Sequence, residues 1–415
     1  MPLSAFLDPA LLHIQLSQLG AIGASATSPG RTRLALTDAD KHGRDVLVGW
    51  LRELDLTVHI DQVGNIYGIL EPAPADAHLP VFLMGSHIDT VVEAGAYDGC
   101  YGVLAGLAVL RAIRAAGITP PRPVGVVAFS NEEGVRFQPD MLGSLAVAGG
   151  ISVAEVNALT ALDGPTYGSE LARIGYAGPR IPGSIPIHEY IELHIEQGPI
   201  LAATDVTIGA VHTLQGISWQ RVTISGKANH AGTTPLHLRH DPMVVAAQVI
   251  ADLRAFARAT ESTVATVGMH NLAPNAINVI PHTATFTVDL RDPDDGALRL
   301  AESQLQELLQ HYAQAEGVTV HCDVLARFAP VTFSADVVAT ITEVTRAHGI
   351  SCRPMVSGAG HDAQMIARIA PSAMIFVPSR DGISHNPAEY TDPAHLEAGL
   401  RVLCDVVAMR LGIAP

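Results

Sequence analysis

The chain has 415 residues, which is too long for one ordinary hydrophobic core and indicates two or three domains. Hydrophobic residues make up 48% and charged residues 16%, a globular composition that excludes disorder as the main state. Acids outnumber bases by 41 to 25, and the formal charge of −16 argues against nucleic acid as a partner because an acidic body repels phosphate.

The first part of the chain alternates helical patterns with short apolar strands. Helices are predicted at residues 8–20, 38–54 and 102–116. Strands are predicted at 56–60, 65–70, 81–85 and 124–129, with a Pro/Ala-rich loop at 71–80. This alternation is typical of an α/β domain with a mixed, mostly parallel sheet and flanking helices.

A different pattern begins near residue 215. It predicts strands at 219–225, 262–269, 283–289 and 318–325 and helices at 241–257 and 297–316, in the order βαββαβ. The first pattern then returns, with helices at 334–348 and 393–411 and a strand at 373–377. We therefore predict a domain of residues 1–214 and 329–415 into which an α+β domain, 215–328, is inserted.

The cysteines and the hydropathy pattern indicate a reducing compartment. Four cysteines (Cys100, Cys322, Cys352 and Cys404) have neither CxxC spacing nor the density of a disulfide framework. Residues 1–20 lack the pattern of a signal peptide, and no apolar run approaches the roughly 18 residues of a membrane helix. We expect a cytoplasmic protein without a membrane partner.

Histidine, with 19 residues, raises the question of a metal site, since it is the commonest metal ligand. Five segments place His or acid residues at strand ends or in loops, where open α/β sheets carry their functional groups. These segments are 85–91, 95–102, 131–134, 192–199 and 382–387.

Each segment alone has an ordinary structural explanation. His87 with Asp89 two residues later is a weak pattern, although an acid there can orient a metal-bound histidine. Asp98 has the context of a turn or N-cap aspartate. Glu132 and Glu133 follow an apolar strand and fit a solvated loop or a metal site. His194 and Glu196 are predicted on one strand face, and His385 lies in a Gly/Pro turn.

Taken together, the five segments supply a complete ligand set for two divalent ions that share a carboxylate. The set consists of His87, Asp98, Glu133, His194 and His385. Two ions about 3.5–4 Å apart hold a substrate oxygen and generate hydroxide near neutral pH. The neighbouring Glu132 would then serve as the general base.

The strings GSHIDTV, SNEEGVRF, LHIEQGP, GKANHAGTTP, SGAGHDA and GISHNP follow one another along the chain. In this order they resemble the M20 metallopeptidase superfamily and, more narrowly, the amidase, hydantoinase/carbamoylase family, over nearly the whole chain. That family includes N-carbamoyl-L-amino acid hydrolases, β-ureidopropionases and allantoate amidohydrolases. His194 stands where peptidase branches usually have an acid, which favours the amidase branch.

The resemblance assigns the metal ligands individually. His87 and His194 match the ligands of one ion, Glu133 and His385 match those of the other, and Asp98 matches the bridging aspartate. It implies two divalent ions per subunit. Zn²⁺, Mn²⁺, Co²⁺ and Ni²⁺ all suit this set of His and carboxylate ligands, and the sequence does not choose among them.

The resemblance also implies roles in catalysis. Asp89 matches the acid that orients His87, and Glu132 matches the base that activates water and protonates the leaving amine. His230 resembles the histidine that stabilises the oxyanion. In the family this histidine comes from the partner subunit's inserted lid and dimerisation domain, which implies a homodimer.

Further residues resemble those that bind the substrate. Asn278 and Arg291 match groups that hold the substrate carboxylate, a task for which the planar guanidinium is well suited. Gln197, Gly360 and His361 resemble additional substrate contacts.

Three positions leave alternatives open. From the residues alone, the favoured interpretation of Arg291 is a surface salt bridge with Asp289 or Asp292. His230 is interpreted in the same way as an ordinary loop histidine. His282 stands where many relatives have glycine, which puts the local backbone in question.

The resulting hypothesis is hydrolysis of a linear amide or ureido C–N bond, first of all in an N-carbamoyl-L-amino acid, giving amino acid, CO2 and ammonia. Allantoate amidohydrolase and β-ureidopropionase are the alternatives within this class. A di- or aminopeptidase is a further rival, and a non-catalytic binder of small anions is the rival from another class. A free base beside the ligand set argues against the binder.

Overall fold

The computed structural model describes residues 2–413. The chain divides into two compact units. The first unit runs to His212 and resumes at Phe333, and the second is Thr213–Thr332. These boundaries lie a few residues from those predicted from the sequence. Within residues 2–413, no helix combines the length and the apolar character needed to cross a membrane.

The helices are α1 Pro9–Gly20, α2 Asp38–Glu53, α3 Cys100–Ala115, α4 Leu142–Val147, α5 Val153–Ala158, α6 Tyr167–Arg173, α7 Ile200–Ala203, α8 Pro242–Ala259, α9 Asp295–Glu316, α10 Ala335–Ala347, α11 Asp362–Ile366 and α12 Pro393–Leu411. Short 3₁₀ turns occur at Leu3–Phe6, Pro74–Asp76, Leu236–Leu238 and Arg380–Gly382.

The strands are β1 Thr57–Ile60, β2 Ile66–Leu70, β3 Val81–His87, β4 Val124–Phe129, β5 Ile187–Ile195, β6 Ile208–Leu214, β7 Gly216–Ser225, β8 Asn229–His230, β9 Val264–Thr266, β10 His270–Ala273, β11 Val279–Ile280, β12 Thr283–Asp292, β13 Thr319–Phe328, β14 Val331–Thr332, β15 Cys352–Ser357 and β16 Ser372–Val377.

The large sheet runs in the order β1-β2-β4-β3-β5-β16-β6, and β15 also pairs with β6. Its four central strands, β4, β3, β5 and β16, are parallel neighbours. The pairs β1–β2, β2–β4 and β16–β6 are antiparallel. The predicted α/β class with a mixed sheet is confirmed, and parallel pairing is confined to the centre. Because the carboxyl ends of parallel strands share one edge, the segments that follow these strands converge there.

Helix α3 lies against this sheet because small residues line its packing face. A Cβ on Gly102 would lie 2.5 Å from the Leu193 carbonyl oxygen, and one on Gly106 would lie 2.9 Å from Val126. The helix therefore approaches strands β4 and β5 more closely than larger residues would allow. It begins at Cys100, which places the preceding Asp98 at the carboxyl edge of the sheet.

The second unit contains an antiparallel sheet in the order β10-β12-β7-β13, with β9 pairing to β12 as well. Alternate residues of β7 and β12 are buried and pack with α8 and α9 into a core that includes Phe286, Val249 and Leu305. The predicted strand at 262–269 is wrong in extent. Only Val264–Thr266 of it forms a strand, β9, and a separate strand, β10, begins at His270; the two pair with different parts of β12. The other predicted elements are present with ends shifted by a few residues.

Candidate active site

His87 ends strand β3 and is almost fully buried. Its Nδ1 donates a hydrogen bond of 3.0 Å to the backbone carbonyl of Asp89, since a carbonyl only accepts. This leaves Nε2 to face the acids, 3.5 Å from Asp98 Oδ1. Gly99, with φ of 62°, permits this approach because a Cβ there would lie 2.4 Å from His87 Nε2. His87 therefore has the tautomer and the space of a ligand through Nε2.

His194 is held in the same way near the end of β5. Its Nδ1 donates 2.8 Å to the carbonyl of Ile195. Its Nε2 accepts a hydrogen bond of 3.1 Å from the Gly99 N–H and lies 3.1 Å from Asp98 Oδ1. Because β3 and β5 are parallel neighbours, the two histidines reach the same carboxylate oxygen.

The second oxygen of Asp98 faces another pair of side chains. His385 Nε2 lies 3.3 Å from Asp98 Oδ2 and 3.3 Å from Glu133 Oε2. Asp98 does not cap α3, whose N-cap is Gly99 without a side-chain hydrogen bond. Two triads of potential ligands thus share Asp98. The first is buried, whereas the second is partly exposed through His385.

The charges at this site fit a cation. Burial, followed by the negative charge of Asp98, raises the pKa of Glu133 to about 8. Burial raises the pKa of Glu132 well above its usual range. A hydrogen bond to Asp98 raises the pKa of His385 to about 9. Glu133 Oε1 is buried without a hydrogen-bond partner. Divalent cations would neutralise these adjacent carboxylates and occupy the unpaired oxygen.

Glu132 and Glu133 do not lie in a solvated loop, since both side chains are nearly buried. Glu132 Oε2 lies 3.4 Å from His87 Nε2. The carboxylate of Asp89 accepts hydrogen bonds from the backbone N–H of Glu132 and of Glu133, at 3.2 and 3.3 Å. The same carboxylate is 3.8 Å from His87 Nδ1. The contact predicted between this acid and the histidine is therefore made by the backbone carbonyl of Asp89.

Gln197, Gly360 and His361 also lie in the first unit. Gln197, with φ of 56°, donates from Nε2 to Asp98 Oδ2 at 2.7 Å. A Cβ on Gly360 would lie 3.0 Å from Met141 Cε. His361 is buried with its ring centroid 4.6 Å from that of His194, and its Nε2 has no partner.

Burial holds the pKa of His361 well below its usual range, so this imidazole is neutral. A third group of ligand atoms that could hold an ion within residues 2–413 comprises Glu192, His194 and His361, and it shares His194 with the first triad.

His230 and Asn278 belong to the second unit and are adjacent there. Strand β8 pairs with β11 so that His230 is opposite Val279, and the Ala231 N–H donates to the Asn278 carbonyl. His230 Nδ1 accepts hydrogen bonds from the N–H groups of Gly232 and Thr233 at 3.0 and 3.2 Å. The proton is therefore on Nε2, which is a donor on an exposed side chain.

Arg291 makes the ion pair that its residue context favours. Its Nη2 lies 2.9 Å from Asp289 Oδ2. Asp292 is buried and accepts from Ser262 and Thr263 instead. His282 does not have a positive φ, so its backbone does not require the glycine of its relatives.

The prediction that His194 and Glu196 lie on one strand face is wrong. Strand β5 ends at Ile195, so Glu196 does not share a strand face with His194. Its carboxylate accepts from the N–H groups of Ile200 and Leu201 at 2.7 and 2.8 Å. This residue supports the first turn of α7 and not the ligand cluster.

Sequence reasoning missed buried acids behind the site. Glu192 is fully buried and accepts from Ser86 Oγ at 2.7 Å and from the Ala363 N–H at 2.8 Å. Glu389, four residues after His385, also lies against the ligand cluster. The position of Glu192 within an apolar strand could have indicated a buried acid. For Glu389, the indication was an acid in the turn after a proposed ligand.

Comparison with known proteins places this chain in a recognised family. A sequence profile of Peptidase family M20/M25/M40 matches residues 83–409. The N-carbamoyl-L-amino-acid amidohydrolase of Rhizobium meliloti is 36% identical over 393 residues, which cover 94% of each chain. The allantoate amidohydrolase of Bacillus subtilis is 33% identical over 399 residues, again 94% of each chain.

Solved structures agree with the sequence comparison. An amidase of the hydantoinase/carbamoylase family from Burkholderia multivorans superposes with a TM-score of 0.93 at 40% identity. The match covers 97% of this chain and 98% of that one. The similarity therefore includes both compact units.

Proposed function

The chain belongs to peptidase family M20/M25/M40 and, within it, to the hydantoinase/carbamoylase amidases, and from this premise we propose that it hydrolyses N-carbamoyl-L-amino acids. It is a hydrolase of carbon–nitrogen bonds other than peptide bonds. The proposed reaction cleaves the ureido group with one water, giving amino acid, CO2 and ammonia.

One observation carries the proposal. Two triads of potential ligands share Asp98, and the carboxylate of Glu132 lies beside them without belonging to either triad. A metal-binding module that only captured ligands would not need a buried acid held at this position. The arrangement favours catalysis over simple anion binding.

The residues divide into ligands and proton carriers. His87, His194 and Asp98 would hold one divalent ion, and Asp98, Glu133 and His385 the other. Such ions would supply Lewis-acid polarisation of the scissile carbonyl and a lowered pKa of water. Zn²⁺, Mn²⁺, Co²⁺ and Ni²⁺ all fit these nitrogen and oxygen donors.

The chain's own side chains would move the protons. Glu132 takes a proton from the attacking water and returns it to the leaving nitrogen. Asp89 holds the turn on which Glu132 sits. His230 donates from Nε2 to the oxygen that develops negative charge, as its hydrogen bonds at Nδ1 allow.

The substrate carboxylate is the remaining group to be recognised. We assign this role to Asn278 and Arg291 of the second unit, and lesser contacts to Gln197, Gly360 and His361. Arg291 would exchange part of its pairing with Asp289 for the substrate. We also propose a cytoplasmic homodimer, in which the second unit acts as a lid and dimerisation domain. The unpaired state of the four cysteines in residues 2–413 agrees with a reducing compartment.

A substrate panel tests the proposal. The protein, loaded in turn with Zn²⁺ and Mn²⁺, is assayed with N-carbamoyl-L-amino acids, N-carbamoyl-β-alanine, allantoate and free dipeptides. We expect the highest kcat/KM with an N-carbamoyl-L-amino acid. Hydrolysis of dipeptides alone would identify a peptidase. Absence of turnover with every substrate in metal-replete protein would favour the binding protein.

Allantoate is the second candidate substrate. The support is that a relative of 33% identity over 94% of the chain carries the name allantoate amidohydrolase. Both substrates present a ureido group and a carboxylate, so the same side chains serve either reaction. A higher kcat/KM for allantoate than for any carbamoyl amino acid in the panel would decide for this alternative, and preference for N-carbamoyl-β-alanine would indicate β-ureidopropionase.

A further inference from the structure

Glu389 connects the two loops that carry ligands of the second triad. It lies four residues after His385, in a turn in which the Glu389 N–H donates to the Asn386 carbonyl at 3.0 Å. Its side chain leaves this turn and reaches residues 97–98, almost 300 positions earlier in the chain. There Oε1 accepts hydrogen bonds from the N–H of Tyr97 at 2.9 Å and the N–H of Asp98 at 3.3 Å.

The other oxygen of Glu389 reaches the Asp98 side chain through a hydroxyl. Ser384 Oγ lies 2.9 Å from Glu389 Oε2 and 3.1 Å from Asp98 Oδ2. Asp98 Oδ2 is the oxygen that faces His385. Glu389 thus contacts both the backbone and, by way of Ser384, the carboxylate of the shared ligand.

The sequence around Asp98 is shaped to admit this side chain. A Cβ on Gly95 would lie 2.1 Å from Glu389 Oε1 and 2.3 Å from its Cβ. Gly95 does not have a positive φ, so its backbone would tolerate another residue. The reason for glycine here is therefore the close approach of Glu389, a buried residue that is only 7% exposed.

The two triads differ in how they are supported. His87 and His194 stand on neighbouring strands of the sheet and are hydrogen-bonded by adjacent carbonyls. His385 lies in a loop with φ of 53° and a half-exposed side chain, so no strand fixes its distance from Asp98. Glu389 and its neighbour Ser384 link this loop to the Asp98 loop.

We propose that Glu389 is the positioning residue of the second metal site and that it acts through the reach of its acceptor oxygen. It holds the loops that carry Asp98 and His385 so close together that both side chains can bind the same ion. The first site, His87–His194–Asp98, shares Asp98, but its two histidines stand on strands of the sheet, so it depends on Glu389 far less. This inference rests on the two-ion centre proposed above.

Two variants of Glu389 separate the effect of its side-chain length from the effect of its charge. Glu389→Gln keeps an oxygen at the same distance and loses the charge, whereas Glu389→Asp keeps the charge and shortens the side chain by one methylene. Gly95→Ala displaces Glu389 without altering any of its hydrogen-bonding groups. Glu397→Ala is the control, because that half-exposed carboxylate pairs with His13, away from the ligand cluster.

The measurement is Zn²⁺ bound per subunit by elemental analysis, together with stepwise affinities by chelator competition and melting of the metal-free proteins. Wild type, Glu389→Gln and Glu397→Ala are expected to hold two ions. Glu389→Asp and Gly95→Ala should bind the first ion with little change, because His87 and His194 are held by the sheet, and the second about 10- to 100-fold more weakly. In a His385→Ala background, Glu389→Asp should cause no further loss.

The outcomes distinguish the two proposals. Fewer than two ions in the wild type would refute the two-ion centre itself. Two ions in the wild type with unchanged affinities in Glu389→Asp would overturn the role of Glu389. Loss of both ions or of folding in Glu389→Asp would make it a general structural residue and overturn the role as well. Loss of the second ion in Glu389→Gln would show that charge, not reach, is decisive.

Discussion

The carboxylate oxygen Oδ1 of Asp89 accepts a hydrogen bond of 3.2 Å from the backbone N–H of Glu132. The other oxygen accepts from the N–H of Glu133 at 3.3 Å. One buried carboxylate therefore sets the path of the turn on which the proposed base and a proposed ligand are adjacent. The ring of His87 is oriented by the carbonyl of Asp89 and does not need this carboxylate.

Replacing Asp89 with alanine should therefore affect catalysis through Glu132 and not through His87. We expect kcat to fall about 10- to 100-fold, the range for a residue that supports a metal centre from behind. KM should change less, because the proposed substrate contacts are elsewhere. Steady-state kinetics on metal-replete protein measure both constants. An unchanged kcat in folded Asp89→Ala would refute this role.

Adjacent glutamates should give different results when each is changed to glutamine. Glu132→Gln should keep both ions and lose about 10²- to 10⁴-fold in kcat, the contribution expected of a general base. Glu133→Gln should lose affinity for one ion, because its carboxylate forms a triad with Asp98 and His385. Metal analysis alongside kinetics separates the two. Full turnover by Glu132→Gln with both ions bound would exclude this mechanism.

The ligand cluster could be predicted because its residues follow the ends of strands that have clear sequence patterns. His87 ends β3 and His194 lies near the end of β5, and both patterns are short apolar runs. The convergence of such ends follows from parallel pairing. The tautomers of both histidines could not be predicted, because they depend on which backbone carbonyl each Nδ1 meets.

Other features depend on contacts that no local pattern encodes. Glu389 meets the N–H of Asp98 across 291 residues of sequence, so neither string indicates the contact. Strand β9 ends at Thr266 and β10 begins at His270 because the two pair with different parts of β12, whereas the local pattern predicts one strand over 262–269. The spacing predicted that the Asp89 carboxylate contacts His87. In the structure this carboxylate accepts hydrogen bonds from backbone N–H groups of the next loop instead.

Binding of the second ion should release protons near neutral pH. In the metal-free site, a hydrogen bond to Asp98 raises the pKa of His385 to about 9, and burial raises that of Glu133 to about 8. A group with a raised pKa keeps its proton below that value, and a ligand must lose it to bind a cation. Affinity should therefore increase with pH from about 6 to 8 and level off above about 9.

Calorimetry in two buffers of different ionisation enthalpy counts the protons released. We expect between one and two at about pH 7, since both groups are protonated there in the absence of metal. In Glu133→Gln, which has no titratable group at that position, the number should decrease. A heat of binding that does not depend on the buffer would contradict the prediction.

Metal removal should destabilise the first unit. Without cations, the carboxylates of Asp98, Glu132 and Glu133 are left close together in a buried site. Ions at a thousandfold excess over their Kd would stabilise the folded state by roughly 4 kcal/mol each. Melting curves before and after dialysis against a chelator measure the difference, and readdition of Zn²⁺ is the control. Equal melting temperatures would mean that the cluster does not hold metal.

His230 should contribute to catalysis without contributing to stability. Its side chain is exposed, and two backbone N–H groups at Nδ1 leave Nε2–H as the free donor. His230→Ala should lower kcat about 10²- to 10³-fold, the effect of losing one oxyanion donor. Metal content and melting temperature should not change. His237→Ala, an exposed histidine of the same unit, is the control and should keep wild-type kcat.

A complementation experiment then decides which subunit His230 serves. If it acts on the partner's ions, a heterodimer of His230→Ala and Glu132→Gln contains one site with both Glu132 and His230. The homodimers contain no such site. Co-expression in equal amounts should therefore restore about one quarter of wild-type activity, as random pairing of two chains in a twofold dimer requires. If His230 serves its own subunit, no pairing produces an intact site, and the mixture should stay as inactive as either variant alone.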